Sequence, residues 1–336
     1  MERFDAVVVG GGVIGLACAW RARQRGLHVV VLERGRPGRG ATQAAAGVLG
    51  PDPETPGFTA LARRSAELWP AMAEELGDVG YTHCGSIALA YDHETPDLHG
   101  EWLDRDTVLG LEPGVSRECV GGILLADDAS VDPRRVVDAL CRELGDAVRA
   151  GADVVEVGAH EVELADGSRL GAERVVLAAG AWVARRLVRR LPVRPVKGQT
   201  LRLRGPLPAT RIIRSGHVYV VPRASGETVI GATVEEAGFD ESVSDTATAE
   251  LLAGATRALP AVAGLELVEA SVGLRPGTPD DGPLIGEWEG FVVAGGHYRN
   301  GILLAPVTAD AVAALLAGAD LPAEVAPFAP GRFAEL

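Results

Sequence analysis

The chain is 336 residues long, carries a net charge of −14 and has four cysteines. This length suits two domains, each with a core able to stand without disulfides or a structural metal. The acidity, with no basic run or aromatic-interleaved basic patch, argues against nucleic acid or an anionic membrane as partner, because both reward clustered lysine and arginine. Cys18, Cys84, Cys119 and Cys141 form no C-x-x-C pair and the histidines lack ligand spacing, so buried thiols of a cytoplasmic protein are expected, and no metal site. The apolar stretch Val7 to Trp20 is interrupted by glycines and is too short to span a bilayer.

Phe4 to Val9 has the β-branched density of a buried parallel strand, Val13 to Arg25 follows as a helix, and a second strand from Leu27 to Leu32 ends at Glu33. The turn between strand and helix is Gly10-Gly11-Gly12-Val13-Ile14-Gly15. In such a turn Gly10 permits the tight bend, Gly12 lets phosphate oxygens approach the backbone, and Gly15 lets the helix lie close on the strand. The helix N-terminal amides then face a pyrophosphate. Glu33, 18 residues after Gly15, can accept bonds from adenosine ribose hydroxyls. That carboxylate argues against a 2′-phosphate ligand, although Arg34 stands beside it; NAD and FAD both remain open.

Arg36 to Thr42 breaks the periodicity, and Gln43 to Gly47 has almost no side-chain bulk. Such a stretch either starts a plain alanine-rich helix or lets the backbone approach a large flat ligand. Thr59 to Leu76 reads as an amphipathic helix with Leu61, Leu68, Met72 and Leu76 on its core stripe. From Tyr81 to Tyr91 the period drops toward two, and a stretch containing Gly121 to Leu125 leads to Asp132-Pro133, where a helix begins with Val136, Val137, Leu140 and Leu144 along one face. Val154-Val155 and Val162 to Leu164 suggest short strands around the Asp166-Gly167 turn, and Arg174 to Gly180 a late buried strand of the nucleotide domain. Gln199 to Leu203, His217 to Pro222, Thr228 to Thr233 and Leu267 to Val272 read as strands, with one helix from Thr246 to Leu259. Phe291 to Gly296 is a last buried strand, and a helix from Ile302 to Leu316 follows. The expected class is α/β: a doubly wound, Rossmann-like domain plus a second domain with a mostly antiparallel sheet.

Seven blocks stand in order at suitable spacings: Val9 to Gly15, Ala44 to Leu49, Val196 to Thr200, Tyr219 to Arg223, Ile230 to Thr233, Gly273 to Pro276, and Gly296 to Ile302. Together they resemble the D-amino-acid oxidase family of FAD flavoproteins, most closely its glycine oxidase branch. The resemblance implies an FAD-binding domain made of residues 1–78, 133–190 and 285–336, and a substrate-binding domain made of 79–132 and 191–284. It implies noncovalent FAD, since no cysteine stands near the flavin-edge loop. Gly10, Gly12, Val13, Ile14 and Gly15 would serve the pyrophosphate, Glu33 and Arg34 the adenosine end, and Val154 the adenine, with Gly180 closing a strand beside the cofactor. Ala41, Thr42, Ala46, Gly47 and Val48 would line the stretch from diphosphate to flavin. His297, Tyr298, Arg299, Asn300, Gly301, Ile302 and Leu303 would wrap the pyrimidine edge, with a helix N-terminus where the reduced flavin's negative charge develops.

For the substrate the resemblance implies Arg275 as carboxylate clamp, Tyr219 as hydroxyl donor to the same carboxylate, and Arg299 as a further polar contact. A guanidinium can hold a carboxylate bidentately and so aim the α-hydrogen at flavin N5. The implied reaction is oxidation of glycine and small amines by hydride transfer, giving an imine that hydrolyses to glyoxylate and ammonia while oxygen becomes hydrogen peroxide. No catalytic acid or base is needed, and the branch implies a part in building the thiazole of thiamine. Val48 and Val234 stand where the family usually carries methionine, so glycine, sarcosine and small D-amino acids are not separated. The alternatives are a D-amino-acid oxidase or dehydrogenase for larger substrates and a noncatalytic flavin-bearing subunit, which would have no need of Arg275. Lys197, the only lysine, invites an oxygen-activating role, but its Lys-Gly-Gln-Thr turn fits a structural one, and His217 beside a strand also reads as structural. A homo-oligomer is expected.

Overall fold

The computed structural model describes residues 2–51, 58–92 and 95–333; residues 1, 52–57, 93–94 and 334–336, which fall within the expected domain ranges, lie outside the described residues. The chain opens with β1 (Glu2–Val9), helix α1 (Val13–Gln24) and β2 (Val29–Glu33). Short α2 (Ala41–Ala44) and β3 (Val48–Leu49) precede the long helix α3 (Thr59–Leu76). Then come β4 (Ser86–Ala90), β5 (Glu101–Asp104), α4 (Arg105–Leu111), β6 (Gly121–Leu125) and β7 (Ala129–Ser130), the last pairing back on β3. Helix α5 (Pro133–Leu144) starts on a proline capped by Asp132, and leads to β8 (Val148–Ala150), β9 (Val154–Val157), β10 (Glu161–Leu164), β11 (Arg169–Leu177) and α6 (Val183–Arg186). Strands β12 (Arg194–Arg204), β13 (Ile212–Ser215), β14 (Val218–Pro222) and β15 (Glu227–Gly231) are followed by α7 (Asp245–Ala258) and the long β16 (Glu266–Gly277). The chain ends with β17 (Leu284–Trp288), β18 (Phe291–Gly295) and α8 (Ala305–Leu316).

Two eight-stranded sheets result. The first runs β17-β18-β11-β1-β2-β8, with β9 and β10 attached beside β11; β18, β11, β1, β2 and β8 are mutually parallel. Both its faces are covered, which explains the near-continuous apolar runs of β1, β2 and β18. One face packs on α1, α3, α5 and α8 through residues such as Leu16, Trp69, Leu140 and Val312, and the other on Val183, Val188 and Leu191. The second sheet, β16-β12-β15-β14-β13-β4-β6-β5, is antiparallel except for the β13–β4 pair, and carries α4 and α7 on one face. The α/β reading with a doubly wound unit and a mostly antiparallel second sheet is what the structure has.

The differences have local causes. Only Ser86–Ala90 of the expected 81–91 stretch is strand, and it is buried throughout, because Ile87 and Leu89 join one apolar cluster while Ala88 joins another on the opposite face. The last helix starts at Ala305 with Pro306 in its first turn, so 301–304 form turns, not helix. Strands β5, β13 and β17 escape a hydrophobicity reading: β5 buries only Leu103, β13 carries Arg214, and β17 is broken by Gly286 at φ +146°.

Gly15 sets how closely α1 lies on the sheet: a Cβ there would stand 2.0 Å from the Gly10 carbonyl oxygen, which is backbone and cannot move aside. Gly15→Ala is therefore expected to destabilise the fold by about 1–3 kcal/mol, as overpacking does, read from urea unfolding; an unchanged midpoint and slope would show that the helix can lift without penalty.

Candidate active site

A cavity of about 850 Å³ runs between the two sheets. At one end its wall is the glycine turn: Gly10, Gly12, Val13 and Ile14, with Glu33, Arg34, Val154 and Gly180. Gly10 has φ +113° and a Cβ would meet the Ala178 carbonyl oxygen at 2.4 Å, so no other residue fits. Gly12 is different, since a Cβ there meets only Thr42 Oγ1 at 3.6 Å; it leaves room for a ligand. Helix α1 has no side-chain cap of its own, and Thr42 Oγ1 accepts the Val13 N–H at 3.2 Å instead. The N–H groups of Gly12 and Ile14 donate to no acceptor among the described residues. Glu33 accepts the Gly11 and Gly35 amides at 2.8 and 2.9 Å, which ties the tip of β2 to the glycine turn. A cradle with open donors and space at Gly12 fits a diphosphate.

Ala41, Thr42, Ala46, Gly47 and Val48 form the middle of the wall, and His297, Tyr298, Arg299, Asn300, Gly301 and Ile302 face them. Here too N–H groups stand open: those of Gly47, Gly301 and Ile302 have no acceptor among the described residues. Tyr298 holds φ +46°, a left-handed conformation uncommon for a bulky residue and one that clusters at functional sites. His297 is 2% exposed and its Nε2 lies 2.9 Å from Thr308 Oγ1, so its ring ties the turn to α8. Burial pushes its pKa down to about 3, leaving it neutral.

Arg275 and Tyr219 stand at the other end of the cavity. Two glycines make room for them. Gly231 is directly opposite Tyr219 across β14 and β15, and a Cβ there would lie 2.4 Å from the tyrosine hydroxyl. Gly198 on β12 leaves the same space for Arg275, whose guanidinium would be 2.1 Å from a Cβ. Arg275 donates to the carbonyls of Thr233 at 3.0 Å and Lys197 at 3.3 Å, and makes no ion pair among the described residues. Burial lowers its pKa from the usual value, against which Tyr219 pulls upward, but a guanidinium stays charged. Burial raises the Tyr219 pKa, so the hydroxyl is a proton donor at neutral pH. The pair thus offers a half-buried cation and a neutral donor with capacity for one carboxylate.

Gly15 and Leu303, expected at the cofactor, are not on the cavity wall. Gly15 lies beneath Gly10, and Leu303 is turned into the core, its carbonyl accepting Ser65 Oγ at 2.7 Å and Trp69 Nε1 at 2.9 Å. Val234 is 54% exposed and away from the cavity, so only Val48 of the two valines can shape it. Lys197 is also off the wall, buried in an ion pair with Asp240 at 2.5 Å, and His217 is exposed outside it. Sequence reasoning missed many wall residues, among them these three. Trp182 takes Arg34 over its ring at 4.1 Å, Arg214 pairs with buried Asp128 at 2.6 Å behind Gly50, and Leu98 comes from a stretch without regular structure. Only Trp182, two residues after the strand-ending Gly180, had a positional signal. Among the described residues no group of His, Cys, Asp or Glu could hold a metal, and no helix is long and apolar enough to cross a membrane.

A glycine turn whose open amides fit a diphosphate, continued by a slot of open amides to an arginine–tyrosine pair with capacity for a carboxylate, is the form of a dinucleotide-dependent oxidoreductase. Residues 5–315 match the family model of the DAO, FAD dependent oxidoreductases, and the chain belongs to that family. Its cofactor is FAD. It is 35% identical to the glycine oxidase of Geobacillus kaustophilus over 98% of this chain and 97% of that protein. The crystal structure of glycine oxidase from Geobacillus kaustophilus superposes with a TM-score of 0.91 at 33% identity, covering 99% of each chain. The chain is also 34% identical, over 98% of its length, to the bifunctional protein ThiO/ThiG of Synechocystis, of which it spans about half, 54%.

The neutral state of His297 has a consequence for acid stability. In the unfolded chain this residue takes up a proton near pH 6.5, whereas in the fold it does so near 3. Its contribution is therefore complete above pH 6.5 and is lost as pH falls below it, at up to ~1.4 kcal/mol per pH unit. His297→Gln should gain on the parent protein as pH drops from 6.5 toward about 4, measured as unfolding free energy at each pH. A constant difference between the two would contradict the buried, neutral imidazole.

Proposed function

We propose that the protein is an oxidase of glycine and closely related small amines, producing glyoxylate, ammonia and hydrogen peroxide, and that it serves the assembly of the thiazole of thiamine. The observation that carries the reading is Arg275, a half-buried guanidinium with no ion pair among the described residues, beside the Tyr219 hydroxyl in the same cavity as the glycine turn. The names of the similar proteins, glycine oxidase and ThiO/ThiG, support the substrate and the pathway.

Bound FAD would supply the two-electron acceptor for the hydride of the substrate α-carbon, with oxygen as the final oxidant. The chain's own residues supply position. Arg275 holds the carboxylate bidentately, Tyr219 donates to the same group, and Arg299 makes a further polar contact, so the α-carbon is presented to the cofactor with little freedom left. The adenosine end falls to Glu33, Arg34 and Val154, and the diphosphate to Gly10, Gly12, Val13 and Ile14, with Gly15 acting through helix placement. Ala41, Thr42, Ala46, Gly47 and Val48 lie along the cofactor on one side, and His297 to Ile302 on the other. Open amides at Gly301 and Ile302 suit an edge that becomes more negative on reduction. Residues 1–78, 133–190 and 285–336 serve FAD, and 79–132 with 191–284 serve the substrate. A cytoplasmic homo-oligomer belongs to the same reading, and four free thiols support the compartment.

Peroxide release tests this with glycine, sarcosine, D-alanine and D-proline in parallel. Turnover of glycine and sarcosine is expected; activity confined to D-proline and larger amino acids would replace the reading by an oxidase of larger D-amino acids. Arg275→Ala should raise the KM for glycine by a factor equivalent to about 2–5 kcal/mol, the loss seen when one partner of a buried charge pair is removed. An unchanged KM would remove Arg275 from the carboxylate site.

A further inference from the structure

Against the small-residue wall of the cavity, and reaching its lining at Glu269, lies a cluster with a buried centre that the proposed chemistry does not use. Arg134, Arg202 and Arg223 meet Glu269, Glu227 and Asp132: Arg134 with Glu269 at 2.6 Å, Arg202 with Glu227 at 2.5 Å, and Arg223 with Glu227 and Asp132 at 3.2 and 3.4 Å. Three cations face three carboxylates, so the cluster is balanced and is not an anion site. Arg202 is 1% exposed and Arg223 9%, and the Nε of each has no hydrogen-bond partner among the described residues. Buried ion pairs of this kind add little to stability over apolar packing. What they hold is more informative.

Each guanidinium reaches a main-chain carbonyl of the segment that lines the cavity. Arg134 Nε and Arg202 Nη2 donate to the Gln43 oxygen at 3.3 and 3.2 Å, and Thr200 Oγ1 donates to that of Ala44 at 2.8 Å. Arg223 Nη2 donates to the Ala46 oxygen at 3.0 Å and Nη1 to that of Val131 at 3.2 Å. In a trans peptide the N–H points opposite to the carbonyl before it, so holding the Ala46 oxygen from behind turns the Gly47 N–H the other way. Gly47 lies on the cavity wall and its N–H has no acceptor among the described residues. The local backbone admits only glycine, with φ +77° and a Cβ that would fall 2.0 Å from the Val131 oxygen. Ala46 and Val48 pack in one apolar cluster with Tyr219, so this amide stands on the part of the wall that adjoins the end proposed for the substrate.

We infer that Arg223 is a positioning residue for the redox reaction: by bridging the Ala46 and Val131 carbonyls it presents the Gly47 N–H to the flavin ring system. An amide donor there stabilises the electron-rich reduced state more than the oxidised one, and so raises the reduction potential. The inference rests on FAD occupying this cavity as proposed above.

The test compares the parent holoprotein with Arg223→Met and Arg223→Lys. Yellow parent protein that titrates with FAD establishes the underlying reading by itself. Given that, Arg223→Met should bind FAD about tenfold more weakly, the worth of one hydrogen bond, and its flavin should show a more negative midpoint potential by dye equilibration. Arg223→Lys, which can reach one carbonyl but not both, should fall between the two, and carries the test alone if Arg223→Met does not fold. A folded variant with lowered melting temperature but parental midpoint potential would overturn the inference and leave Arg223 a structural residue only.

Discussion

The middle of the cavity depends on the Ala46 carbonyl oxygen being held from outside by Arg223, so that the opposite edge of the same peptide leaves the Gly47 N–H open on the wall. Thr200, Arg134 and Arg202 fix the neighbouring Ala44 and Gln43 carbonyls, and beyond the facing turn Ser65 and Trp69 of α3 anchor it to the core through the Leu303 oxygen. Amides make good partners for a cofactor that gains negative charge, because they are dipoles fixed before the reaction and add no side-chain entropy to be lost. Glycine and alanine follow from this requirement, since any larger side chain would stand between the amide and its ligand.

The same economy of bulk shapes the substrate end. Tyr219 and Arg275 project from β14 and β16 into space left by Gly231 and Gly198, so each functional side chain is paired with a missing one on a neighbouring strand. The two sheets thus divide the work. On the proposed reading the parallel one ends in the diphosphate cradle, and the antiparallel one supplies rigid strands from which a carboxylate can be gripped.

Much of this was legible in the sequence because it is carried by local pattern. The glycine turn, the apolar runs of β1, β2 and β18, and the helix Thr59–Leu76 all follow from periodicity and glycine chemistry. Of the cavity wall, Gly10, Gly12 and the stretch Gln43 to Gly47 were legible from the residues themselves, and other parts only through the resemblance, as positions and not as contacts. What stayed hidden depends on residues far apart in sequence: Arg214 paired with Asp128, Trp182 under Arg34, and Arg223 on the Ala46 oxygen 177 positions away. Leu303 illustrates the limit, since its place in a matching block said nothing of its side chain turning to the core.

A crystal structure of the FAD-loaded protein with glycolate, a substrate-like carboxylate that lacks the amine, bears most directly on this account. It should show the carboxylate held by both arms of Arg275 and by the Tyr219 hydroxyl, with the flavin ring lying between the Gly47 amide and those of Gly301 and Ile302. A flavin ring displaced from these amides, or a glycolate bound away from Arg275, would contradict it.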